Sequence, residues 1–248
     1  MRVKRRIFSG VVCEQEIYTV PDGARDPLRP RRPRFKSEEE RQRHKDEISR
    51  KRHARMVNEN FSPSSLYSTL TLDDEHEVHT FREARRVRDN FLRRLLYRCP
   101  GAKISIYCGR GKNTARIHFH MLSDGVPEEV IREKWGQGDV LRIERLREHV
   151  YYDGVDHGPD YTGLANYLFN HWTPEQGGHR WKQTRSCKRP QKEDARVVKA
   201  DYHPGRPPAA PKGYILVEQR STPYGYHYFK YVRQPEQVRR GQRVKRQI

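Results

Sequence analysis

The stretch Ile117-His118-Phe119-His120-Met121-Leu122 constrains the fold more than any other in this chain. An α-helix, with its 3.6-residue period, would throw the two histidines to nearly opposite sides. As a strand, the stretch sends Ile117, Phe119 and Met121 to one face and His118, His120 and Leu122 to the other. One face then needs a packed core behind it. The other presents two imidazoles two positions apart, close enough to share one metal ion.

The neighbouring segments supply a sheet for such a strand. "SLYSTLTL" from Ser65, "KISIYCG" and "DVLRIERL" read as strands, and "GYILVEQ" with "GYHYFKYV" as a closing hairpin. Between them, Val78, Phe81, Ala84, Val87, Phe91, Leu92 and Leu95 fall at helical spacing, and "VPEEVIREKWG" and "DYTGLANYLFNHW" read as further helices. The predicted class is α+β: a central antiparallel sheet of about five strands with helices on one face. Only 33% of the 248 residues are hydrophobic and another 33% are charged, so polar segments must flank the core-forming part. The expected division is a basic, proline-punctuated arm over 1–36, a basic helix over 37–61 opened by Ser37 and Glu40, one domain over 62–233, and a basic disordered tail over 234–248. With so few apolar residues, helix 37–61 is expected to be largely solvated, either facing phosphate or simply lying on the surface.

Fifty-one Lys and Arg against 32 Asp and Glu give a formal charge of +19, which points to a polyanionic partner, nucleic acid before an anionic membrane. No apolar run approaches the roughly 18 residues of a spanning helix, and the N-terminus lacks the apolar stretch of a signal peptide, so the expected location is cytoplasmic with no membrane partner. Cys13, Cys99, Cys108 and Cys187 form no CxxC pair and read as reduced, structural thiols. "GRGKNT" lacks the spacing of a nucleotide-binding phosphate loop.

About forty residues after the histidine pair, "YTGLANYLFNHW" places Tyr167, Asn170 and His171 at i, i+3 and i+4, on one helical face. A tyrosine presented over two metal-bound histidines can attack phosphorus, with the metal stabilising the charge that builds on the phosphate. A packed aromatic is the plainer account of Tyr167. Tyr161 is the rival nucleophile, but about 1.7 turns separate the two, so both cannot face the histidines.

"SLYSTLTLD", "ARIHFHML" and "GLANYLFNHW", in that order and spacing, resemble the three motifs of the HUH-type rolling-circle replication initiators of small phages and plasmids. "HRWKQTRSCKRP" is also similar to a segment that follows the tyrosine helix in that group, and the similarity runs from about Ser65 to Pro190. The resemblance implies an HUH endonuclease fold of ferredoxin-like or RRM-like type. It implies a site-specific nick in single-stranded or hairpin origin DNA, a 5′-phosphotyrosine intermediate at Tyr167, a free 3′-OH that primes synthesis, and Mg2+ or Mn2+ on His118 and His120. It also implies a bacterial host and a phage or mobile element as source, with any helicase supplied by another protein, such as one from the host.

Two departures bear on that expectation. Family members usually carry lysine where Asn170 stands, so either a nearby cation such as Lys182 or Arg185 substitutes or activity is weakened. The third ligand is often a carboxylate on the strand before the pair; here Cys108 stands nearest, Asp73 is the carboxylate alternative, and water is a third option. Arg180, Trp181, Lys182, Arg185, Lys188 and Arg189 crowd the segment after the tyrosine helix and are expected to contact phosphates. Tyr224 and Tyr226 either stack on unpaired bases or pack as ordinary strand residues. The oligomeric state is left open. Against the nickase stands a second reading, a fold of the same kind that only holds single strands or hairpins.

Overall fold

The computed structural model describes residues 1–20, 37–111, 115–152, 154–171, 179–222 and 225–235. In chain order its elements are β1 (Arg2–Ser9), β2 (Val12–Thr19), α1 (Glu38–Asn60), β3 (Leu66–Thr71), α2 (Phe81–Arg98), β4 (Lys103–Arg110), β5 (Ile117–Asp124), α3 (Glu128–Trp135), β6 (Val140–Arg145), β7 (Tyr151–Tyr152), β8 (Val155–Asp156), α4 (Thr162–Asn170), β9 (Lys182–Gln183), β10 (Gln191–Lys192), β11 (Arg196–Val198), β12 (Tyr214–Ser221) and β13 (His227–Arg233). The class is α+β, with antiparallel pairing throughout the described sheets. Two compact units divide the chain: Arg50–Glu148 with Tyr161–Arg189, and Met1–Ser49 with His149–Asp160 and Pro190–Ile248. The single 62–233 domain expected from the sequence is thus corrected to two units. No helix among the described residues is long and apolar enough to cross a membrane.

The first unit holds the histidine strand in a five-stranded sheet ordered β6-β3-β5-β4-β9. The crossovers β3-α2-β4 and β5-α3-β6 each straddle one intervening strand. β5 lies at the centre, paired with β3 and β4. On one face Ile104, Ile106, Phe119 and Met121 pack against Ala84, Phe91 and Leu95 of α2 and Ile131 and Trp135 of α3. The Trp135 ring meets Phe91 at 5.0 Å and Phe119 at 5.5 Å, both edge-on, a geometry worth about 0.5–1.5 kcal/mol per pair beyond burial. α2 starts where Thr80 and Glu83 complete a capping box, contributing about 1 kcal/mol.

The opposite face is covered too. Ala54, Met56 and Val57 of α1, with Ala165 and Leu168 of α4, pack over Tyr67, Tyr107 and Leu122. The expectation of helices on one face is therefore corrected to helices on both. α1 begins after Ser37, whose Oγ accepts from the Glu40 N–H at 3.1 Å. Its first half is solvated, as its composition predicts. The second half is buried through small and polar residues, including His53, Asn58 and Asn60, which a hydropathy reading does not register.

The second unit is built on a six-stranded sheet in which β10, β1, β2, β13 and β12 lie in order and β11 also pairs with β1. Residues 2–19, expected to be part of the basic, proline-punctuated arm, form its β1–β2 hairpin. Basic residues hid the strand: Val3 and Ile7 are buried, while Arg5 pairs with Glu16 and Arg6 Nε donates to Gln15 Oε1 at 2.7 Å directly across the ladder. The β12–β13 hairpin joins β2 here rather than closing the histidine sheet. Tyr228, Phe229 and Tyr231 pack, with the Tyr228 hydroxyl donating to Glu14 and the Tyr231 hydroxyl to the Pro208 carbonyl. The proline-bearing stretch 21–36 and residues 236–248 of the tail lie outside the described residues.

Candidate metal and tyrosine site

β5 delivers His118 and His120 to the face covered by α1 and α4, as the alternation requires, and α4 brings a third imidazole. Ligand nitrogens of His118, His120 and His171 all lie within 4.8 Å of one another. The three rings meet at centroid distances of 4.9, 5.7 and 4.5 Å. Across from them on β4, Gly109 pairs with His118. A Cβ there would stand 3.0 Å from His118 Nε2 and 3.3 Å from His171 Nδ1, so the glycine makes the space the imidazoles occupy.

His120 is fixed from behind. Its Nδ1 lies 2.7 Å from the Tyr67 hydroxyl and 3.2 Å from Thr69 Oγ1. With Nδ1–H donating to the Tyr67 oxygen, Nε2 is left as a lone-pair donor, and that buried atom has no hydrogen-bond partner among the described residues. Burial pushes His120 down to about 3, and the neighbouring His171 and His118 act in the same direction. Burial also lowers His118. Neutral imidazoles are the ligand form. An orphaned Nε2, two neighbouring imidazoles and a backing hydroxyl fit a divalent transition metal.

Tyr167 stands at the mouth of this cluster, its ring 4.5 Å from His171 and 5.9 Å from His120. It is 51% exposed, and with Asn170 it lines an open cleft of about 1050 Å³ shared with the three histidines. The orientation comes from the helix: Ala165, Leu168 and Phe169 bury the opposite stripe, and Asn58 of α1 holds the start of α4 by accepting from the Tyr161 N–H at 2.8 Å. Tyr161, the alternative nucleophile, is corrected. It is 4% exposed, its hydroxyl donates to the Arg147 carbonyl, and burial raises its phenol further from ionisation.

Neither third ligand anticipated from the sequence belongs to the cluster. Cys108 pairs with Phe119 and so faces the α2 core, its thiol raised to about 11 by burial. Asp73 lines the cleft but its carboxylate holds the His76 ring and N–H. The third residue of the cluster that could hold an ion is His171. The signal was present, since His171 shares a helical face with Tyr167, but expecting the ligand on a strand obscured it.

The Arg180–Arg189 segment is anchored to the sheet edge. Lys182 and Gln183 pair with β4, Thr184 is buried on Ile104 and Ala102, and the Trp181 ring lies 4.4 Å from His53. Lys182, Arg185, Lys188 and Arg189 are exposed, and the Arg180 guanidinium lies 4.1 Å from the Phe169 ring centre. Tyr224 lies outside the described residues, and Tyr226 belongs to the other unit. Comparison of the chain with known protein families, curated proteins and solved structures finds no match.

Proposed function

We propose that this chain is an HUH-type DNA nicking endonuclease and strand transferase that starts rolling-circle replication from a single-stranded or hairpin origin. The observation that carries the reading is the exposed Tyr167 phenol beside three clustered imidazoles in an open cleft. The β-α-β-β-α-β order with interleaved strands, the ferredoxin-like arrangement, supports it.

Tyr167 supplies the nucleophile: its oxygen bonds to phosphorus, the bond to the 3′ oxygen breaks, the phenol gives up its proton and the 3′ oxygen takes one up. The 5′ phosphate remains on the tyrosine, and reversal with a new 3′-OH gives strand transfer. His118, His120 and His171 would hold a divalent cation, which would supply Lewis-acid polarisation of the phosphate. Three imidazoles with no carboxylate suit Mn2+ or a later transition ion better than Mg2+. Gly109 and Tyr67 set the imidazoles in place, and α4 holds nucleophile and third ligand on one rigid element, limiting their relative motion.

The test uses the full chain, a panel of divalent ions and 3′-labelled hairpin oligonucleotides with randomised loops. Mn2+ should give a labelled adduct that survives denaturing electrophoresis and disappears in Tyr167→Phe. Adduct formation at wild-type yield in that variant would exclude Tyr167 as nucleophile. Asn170, where the resembled family has lysine, favours a second reading, a module that holds single strands without cutting. That reading predicts salt-sensitive binding with no adduct for any ion.

A further inference from the structure

The cation bonded to Asn170 is neither Lys182 nor Arg185. Arg50, from α1, donates through Nη1 to Asn170 Oδ1 at 3.0 Å, and its guanidinium carbon lies 4.8 Å from the Phe169 ring centre. Arg180 lies against that same ring. Arg50 has no carboxylate within ion-pair distance among the described residues. Its one hydrogen-bond acceptor there is a neutral amide, which orients the fork without compensating its charge. The ring is 1% exposed, so it forms a fixed platform for the guanidinium. Asn170 lies one helical turn beyond Tyr167 and lines the cleft.

We infer that Arg50, oriented by Asn170 and seated on Phe169 beside Arg180, forms a phosphate subsite that grips the single DNA strand next to the phosphate facing Tyr167. The inference rests on the reading of the cleft as a single-strand DNA site. Arg50 is a positioning residue: it fixes where the strand lies, and the remaining guanidinium donors suit phosphate oxygens.

The test is fluorescence anisotropy of a labelled single-stranded oligonucleotide bound to the full chain in EDTA across a salt series. Arg50→Ala and Arg50→Gln should each bind about tenfold more weakly at low salt. Each should also flatten the plot of log affinity against log salt by about 0.7, the change for one lost phosphate contact on a single strand. Arg50→Lys should restore the slope, and Asn170→Ala should weaken binding without changing it. Arg50→Gln keeps the aliphatic stem as far as Cδ and ends in a neutral amide, so it serves should the alanine variant misfold. A wild-type slope in folded Arg50→Gln overturns the subsite alone. Absence of single-strand binding by the wild-type chain overturns the DNA reading with it.

Discussion

The two faces of β5 come from one six-residue stretch but are held in different ways. Ile117, Phe119 and Met121 enter a continuous apolar cluster under α2 and α3, held by burial and ring packing. His118 and His120 enter a polar cluster bounded by Gly109, Tyr67, Thr69 and His171, where each neighbour has a separate task. The first face gives the strand its stability, and the second uses that stability to hold donor atoms in a fixed arrangement. Exchanging side chains on the two faces should therefore change different quantities.

Phe119→Ala removes a wholly buried ring touching Trp135 and should lower unfolding free energy by about 3–5 kcal/mol in urea denaturation. His120→Ala should cost a fraction of that, and should abolish the rise in melting temperature that the proposed metal site predicts for the wild type with Mn2+ or Co2+. Equal losses of stability for the two variants would erase the distinction between the faces.

Between about pH 6.5 and 4, acid should act on the polar side through a buried histidine. His53, fully buried beside Tyr107 and Trp181, is held down to about 4 from an ordinary 6.5 by burial. Between those values the unfolded chain takes up a proton that the folded chain excludes. Stability from this group is thus complete above about pH 6.5 and falls as the pH drops toward 4, by about 3 kcal/mol. Metal-free chain in EDTA should show this slope in chemical denaturation, with His120 adding to it in the same direction. A His53→Gln variant should show a flatter profile, and an unchanged profile would remove His53 from the acid response.

The contrast also explains what could be read from the sequence. Alternation in β5 and helical spacing in α2 expose the apolar face directly, because each element carries its own pattern. The cover of the imidazole face comes from His53 to Val57 of α1, a helix too polar to announce a buried side, and from α4 a hundred residues later. Arg50 and Gly109 gain their meaning only from what the fold sets opposite them, Asn170 and His118. The β1–β2 hairpin was hidden for a related reason, since its basic residues are balanced across the ladder by Glu16 and Gln15 rather than by solvent.

Tyr67→Phe sharpens the polar side of the comparison. It deletes the oxygen 2.7 Å from His120 Nδ1 and leaves the ring and its packing. Loss of such a backing partner typically weakens metal affinity about 10–100-fold. Calorimetric titration with Mn2+ or Co2+ should show that loss at unchanged stoichiometry. An unchanged affinity would mean that Thr69 alone orients the ring.

The smallest expected effect tests the boundary between the faces at a neighbouring strand. Cys108 and Gly109 are consecutive on β4, yet the ladder sets Cys108 against Phe119 and Gly109 against His118. The pleat therefore turns the thiol toward α2, away from the imidazoles, and burial holds it protonated, whereas a ligand would be a thiolate. Cys108→Ala should cost about 1 kcal/mol of stability. It should leave the affinity and stoichiometry of Mn2+ or Co2+ binding at wild-type values in the same titration. A tenfold loss of affinity would place sulfur among the ligands, which would require β4 to slip by one residue against β5. That slip would carry Gly109 away from His118 and drive a side chain into the imidazole space, so the glycine's position opposite His118 is what keeps the thiol out of the site.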